Sequence, residues 1–236
     1  MFETSLSFRI KVEDDLVYDV FTIQNKKTMK HEWRKKEKAT YLPKAKPEII
    51  DVPEYNYIVL SGEGNPNSEQ FEESIGALYS MAYGIKMNLK KSGQPPQGYQ
   101  DWTVYPLEGV WDISEKAKAN YSGELDKDEL VYDIMIRQPE FVNQAFFDEV
   151  LEMTKKKKPN MLLDKIRFEK ITDGQCVQML HVGSYDDEPE SFAKMEEFVQ
   201  ETNLTRKSKI HREIYLSDFR KVPVEKLKTV LRFKVD

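Results

Sequence analysis

Residues 54–62, EYNYIVLSG, and residues 175–183, QCVQMLHVG, decide how this chain is read. Each is a short run rich in β-branched and aromatic residues that closes on a glycine, the pattern of a strand entering a turn. Each is followed by a helical pattern. After the first, Ser68 stands as an N-cap, and Phe71, Ile75, Leu78, Met81, Ala82, Ile85 and Leu89 recur at three- and four-residue steps over residues 69–91. After the second comes a loop at 184–187 and a helix over 188–202, EPESFAKMEEFVQET. Two strands then follow in each half: residues 102–111 and 130–137 in the first, 212–218 and 229–235 in the second. A further helix over 140–157 joins the halves.

Each half therefore reads β-α-β-β. The offset between the halves falls from 121 residues at the glycines (Gly62 to Gly183), to 110 at the middle strands (Trp102 to Arg212), to 99 at the last (Leu130 to Thr229), so the first repeat carries the longer connections. The predicted architecture is α+β: duplicated β-α-β-β units, at about 50–140 and 170–236, forming an antiparallel-sheet saddle with helices on one face and a central ligand cleft. Both repeats wall such a cleft, which favours it for a ligand, although a filled structural centre has the same periodicity.

Composition bounds the function. At 236 residues, 39% hydrophobic, 33% charged and with net charge −5, the chain has the length and polarity of a soluble globular protein, and no stretch approaches a membrane span. Residues 26–48 hold nine Lys/Arg against three Glu, but lack the aromatic and glycine pattern of an RNA-binding strand and any helix-turn-helix pair, so direct nucleic-acid binding is not expected. Cys176 is alone and His31, His181 and His211 are scattered, so no metal site is expected, and no cofactor. With no segment of signal-peptide character near the start, the expected location is the cytoplasm. Walker, GxGxxG, GxSxG and HExxH motifs are absent.

Strand parity puts Arg212, Ile214 and Leu216 on one face and His211, Glu213, Tyr215 and Ser217 on the other. The apolar pair suits the helix-covered core, which would turn Glu213 away from it, either to solvent or, among aromatics, into the position of a general base. Tyr105, Trp111, Tyr132, Tyr79, Tyr83 and Tyr185 are candidate walls for a planar ligand, although for any one of them core packing is the better reading; Tyr79 and Tyr83 lie one helical turn apart.

Taken together, residues 32–53 (EWRKKEKATYLPKAKPEIIDVP), 62–71 (GEGNPNSEQF), 77–87 (ALYSMAYGIKM), 104–111 (VYPLEGVW), 135–139 (MIRQP), 181–192 (HVGSYDDEPESF) and 211–218 (HREIYLSD) resemble the GyrI-like small-molecule-binding proteins. The resemblance covers about 29–236 and leaves 1–28 as an N-terminal extension of unassigned role. It implies the saddle, also the effector-binding fold of multidrug-sensing regulators, with a pocket glutamate at Glu213 and pocket aromatics at Tyr105, Trp111 and Tyr132. Stand-alone members resembling this chain hydrolyse cyclopropanoid DNA-alkylating compounds with water. That implies Glu213 as the group that orients or deprotonates the water, Tyr105 as its hydroxyl partner, and a bulky aromatic small molecule as ligand. The alternative is a drug-sequestering protein without chemistry. A DNA gyrase partner is not expected, and oligomeric state is open. The pattern departs from the family at Asp112, where a second aromatic is usual.

Overall fold

The computed structural model describes residues 30–120, 123 and 125–236. The extension at 1–28 lies outside them. In chain order the elements are α1 (Trp33–Lys36), α2 (Lys38–Tyr41), β1 (Glu48–Val52), β2 (Tyr55–Glu63), α3 (Glu69–Lys91), β3 (Leu107–Ile113), α4 (Glu115–Ala119), β4 (Leu130–Gln138), α5 (Gln144–Lys157), β5 (Arg167–Ile171), β6 (Gly174–Val182), α6 (Glu188–Glu201), β7 (His211–Tyr215) and β8 (Lys228–Lys234).

The local signals explain most boundaries. The Ser68 hydroxyl accepts from the Phe71 amide at 3.3 Å and opens α3, and the Asn143 side chain accepts from Phe146 and opens α5 at Gln144, four residues past the expected start. Ladder pairing of β3 begins only at Leu107, where residues 102–111 were expected to be strand throughout; Pro106 carries no N–H to donate, so the stretch before it makes only an isolated bridge between Trp102 and His31.

All eight strands pair antiparallel in the order β1-β6-β8-β7-β3-β4-β2-β5. The repeats are β2-α3-β3-β4 and β6-α6-β7-β8, meeting at β3 and β7. The short outer strands β1 and β5, EIIDV and RFEKI, show no strong alternation and escape a reading from sequence. They are exchanged: β1 leads into β2 through residues 53–54 yet pairs with β6, and β5 leads into β6 through 172–173 yet pairs with β2. A link that short spans at most about 11 Å. The two ends of the sheet must therefore approach each other, which curls it into a half-barrel.

The curl creates two unlike faces. On one, α3 covers Ile58, Leu60, Ile134 and Ile136, while α6 covers Val177, Met179, Leu231 and Phe233. The other face carries charges: Arg212 donates to Glu108 at 2.9 Å and to both oxygens of Asp173 at 2.8 and 3.1 Å, and Arg232 donates to Gln178 at 2.8 Å. The basic segment seals that face. Arg232 bonds the Thr40 carbonyl, Gln178 the Ala39 carbonyl, and Arg137 both the Tyr41 hydroxyl and Glu37.

This reverses the expected sense of β7. Ile214 and Arg212 point to the sealed charged face, and Glu213 points to the helix side. Parity grouped the residues correctly. It could not foresee that the curl and α1–α2 would bury Ile214 on the face opposite the long helices.

Candidate functional site

Strands β3 and β7 meet at the seam between α3 and α6, and their register sets Gly109 opposite Glu213 and Trp111 opposite His211. A chain of hydrogen bonds runs along the seam. The Trp111 indole N–H donates to the Tyr215 hydroxyl at 2.9 Å, and that hydroxyl donates to Glu213 Oε2 at 2.7 Å. The direction is forced, since an indole N–H can only donate and the hydroxyl then has its proton to pass on. His211 Nε2 faces Glu213 Oε1 at 3.1 Å and donates in the Nε2–H tautomer.

Glu188, the first residue of α6, completes the cluster. It is 6% exposed, and its carboxyl lies within hydrogen-bonding reach of Glu213. Two carboxyls in a hydrogen bond need a proton between them. Burial, and then the Glu213 charge, hold the Glu188 carboxyl well above the usual carboxylate range. A helix N-terminus favours an anion by only about 0.3–1 kcal/mol, against several kcal/mol for burying an uncompensated carboxylate.

Aromatic rings wall this centre. Trp111, Tyr132 and Phe71 pack at 5.0–5.7 Å between centroids, Tyr185 meets Tyr215 edge-on at 6.0 Å, and Phe192 meets His211 at 4.8 Å. Burial and then Glu213 push the Tyr185 phenol up to about 12. Two glycines make the room: a Cβ on Gly62 would fall 2.5 Å from the Tyr132 ring, and one on Gly109 would fall 2.6 Å from Trp111 Nε1 and 3.2 Å from the Tyr215 hydroxyl. Gly109→Ala is therefore expected to push Trp111 off Tyr215 and cost about 1–3 kcal/mol. In a proton–nitrogen NMR spectrum the Trp111 indole resonance should shift while those of Trp33 and Trp102 stay in place; an unmoved Trp111 signal would contradict the crowding.

The Glu213 side chain is only 12% exposed, so the seam is nearly shut. Ion pairs between exposed side chains cross it, Lys127 to Asp186 at 3.0 Å and Arg220 to Glu72 at 3.8 Å, each joining one repeat to the other. Such pairs contribute about 0–1 kcal/mol each, little enough for the seam to part around a ligand.

Among the residues expected at the site, the structure brings Glu213, Trp111, Tyr132 and Tyr185 together. Tyr105 is elsewhere: its hydroxyl donates to Glu37 at 2.8 Å, beside His31, Tyr41 and Arg137. Burial opposes the charge of Glu37, but Arg137, His31 and Tyr105 outweigh it and hold its carboxyl below the usual range. The hydroxyl partner of Glu213 is Tyr215, two residues along the same strand and on the same face. Tyr79 and Tyr83 instead line a cavity of about 530 Å³ between α3 and the end of α5, with Met87, Asn88, Lys91 and Lys157. Asp112, the departure from the family pattern, is paired with Lys118 at 2.5 Å. Glu188 had no sequence signal beyond that of an ordinary acid in a first helical turn. Among the described residues, no group of three or more His, Cys, Asp or Glu is placed to hold a metal ion, and no helix is long and apolar enough to cross a membrane.

Comparison with known proteins agrees with this architecture. The profile of the family described as GyrI-like small molecule binding domain matches residues 45–236. A Listeria innocua structure described as a hydrolase superposes with a TM-score of 0.78 at 36% identity, over 88% of this chain and 100% of that one. A further Listeria innocua structure, also described as a hydrolase, has a TM-score of 0.79 at 37% identity with the same coverage. A search of curated proteins returns no match.

Proposed function

The chain belongs to the GyrI-like family of small-molecule-binding proteins, and on that premise we propose that it takes a bulky aromatic ligand into the seam at Glu213 and opens cyclopropanoid DNA-alkylating compounds by adding water. The observation that carries the reading is a carboxylate oriented by Tyr215 and His211 and enclosed by Trp111, Tyr132 and Tyr185. The likeness to the two Listeria innocua proteins described as hydrolases supports it.

In this reading the flat ligand lies against the aromatic wall with its strained ring over Glu213. Glu213 accepts a proton from water as the water oxygen bonds to a ring carbon. The ring C–C bond breaks, its electron pair passes to the conjugated carbonyl oxygen, and that oxygen takes up a proton, so the net change is addition of H and OH. Relief of ring strain supplies driving force, and holding one water at the electrophilic carbon is the main task left to the protein. Tyr215, itself held by Trp111, positions the carboxylate. Tyr105 has no part in this step.

The test is to incubate the protein with a several-hundred-fold excess of a cyclopropane-bearing, duocarmycin-like alkylator and follow the water adduct by chromatography. Conversion of many equivalents per chain is expected. Protection that saturates at one equivalent would make the protein a drug-sequestering module in which Glu213 is a counter-ion.

A further inference from the structure

We propose that the groove on the outer face of α3 is a second binding site, apart from the seam, and that it takes flat aromatic anions such as aryl carboxylates and aryl sulfonates.

A helix that buries one face is expected to be polar on the other. The core face of α3 carries Leu78, Met81, Ala82, Ile85 and Leu89. On the outer face Gly76, Ser80 and Gly84, four residues apart, form a trough, and beside it Tyr83 and Met87 stand 53% and 41% exposed. Gly84 admits α5, since a Cβ there would fall 3.1 Å from Thr154 Oγ1 and 3.3 Å from Val150 Cγ1. At Gly76 a Cβ would meet nothing within 4 Å, so the trough is open towards the start of the helix. Its volume of about 530 Å³ is within the roughly 300–1,000 Å³ of small-molecule sites.

Charge decides what the groove accepts. At one end stand Lys91, the last residue of α3, and Lys157 and Lys158 at the end of α5. Among the described residues none of these three has a carboxylate within 4 Å, whereas nearby Lys86 and Lys90 hold Asp101, and Lys155 holds Glu152 and Asp164. Two helix C-termini contribute about half a negative charge each, which three ammonium groups exceed. Glu73 lies one helical turn before Gly76, at the opposite end, so an anion is drawn towards the lysines. Tyr83 and Met87 offer a ring face and a polarisable sulfur, both of which favour an arene over an alkyl chain. From Tyr83 to Lys91 is about 12 Å along the helix axis, and a helical side chain leans back towards the N-terminus. A two- or three-ring arene with one anionic substituent covers that span.

The experiment titrates the full-length protein with anilinonaphthalene sulfonate, followed by dye fluorescence, and with phenylnaphthylamine, its neutral analogue. Saturable binding of the sulfonate is expected. The double variant Lys91→Glu, Lys157→Glu should weaken it at least about tenfold while changing the neutral analogue by less than about threefold. Gly76→Leu, which fills the trough without a clash and replaces a helical glycine, should weaken both dyes at least about tenfold. Glu213→Gln should leave both unchanged, and the cyclopropane alkylator should not displace the sulfonate, so the result does not depend on what the seam does. No sulfonate binding at about 1 mM overturns the proposal. So does binding that survives both the double lysine variant and Gly76→Leu, or that the alkylator displaces, since the dye would then lie in the seam.

Discussion

Glu213→Gln is expected to lower turnover of the cyclopropane alkylator by about 10²–10⁴-fold while leaving its dissociation constant within a few-fold of the wild type. Glutamine is nearly isosteric. Its carbonyl oxygen can still accept from Tyr215, so the bond chain from Trp111 survives and the aromatic wall keeps its shape. What is lost is the ability to take a proton from water. A kcat that collapses with binding intact identifies an interaction made only in the transition state, whereas loss of binding with it would point to a counter-ion. Single-turnover chromatography paired with tryptophan quenching separates the two. Wild-type turnover in Glu213→Gln would sink the role assigned to this residue.

The second large effect concerns the sealed face of the sheet. Arg212→Met should cost about 3–5 kcal/mol of stability near pH 7, read from urea unfolding, because it leaves Glu108 and Asp173 buried without their shared cation. Three segments converge on that guanidinium: β3 through Glu108, β7 through Arg212 itself, and the β5–β6 link through Asp173. Removing it loosens the contact that holds the curled sheet to the link. The Asp173 contribution to the pH dependence has a definite sign. Burial opposes the Asp173 charge, but Arg212 prevails and holds this carboxyl below its ordinary value of 3.8, so its contribution is present above about pH 4 and is lost as pH falls through the lowered value. The Asp173 part of wild-type stability should therefore be lost in acid, where Glu108, its carboxyl raised by burial against the pull of Arg212, contributes with the opposite sign; the gap between the wild type and Arg212→Met should narrow as acid neutralises the carboxylates the variant leaves behind. A loss under about 1 kcal/mol at neutral pH would mean that the network contributes little to holding the curl.

How far the site could be read from sequence differs residue by residue. Strand alternation and a family resemblance meet on Glu213 and Trp111, which the structure places together, and Tyr215 was within reach, being placed by parity on the face of Glu213. Tyr105 misled. It lies on the stretch that Pro106 keeps out of the ladder, so its side chain does not follow the alternation of β3 and turns instead to Glu37 in α1–α2, far back in the sequence. Tyr79 and Tyr83 satisfied helical spacing, which says that two side chains share a face but not which neighbour that face meets; here it is the end of α5.

The sequence by itself determined the elements and their duplication. Hydrophobic periodicity, Ser68 and the closing glycines are local facts, set by backbone geometry within a few residues. Only the tertiary structure decided which face of β7 looks at the helices, because that depends on the exchange of β1 and β5. The exchange in turn depends on two short links that local patterning does not read. It also decided that Glu188 keeps a proton. A carboxyl at the start of a helix is an anion by every local rule, and becomes an acid here because the folded chain buries it against Glu213, from a strand more than twenty residues away.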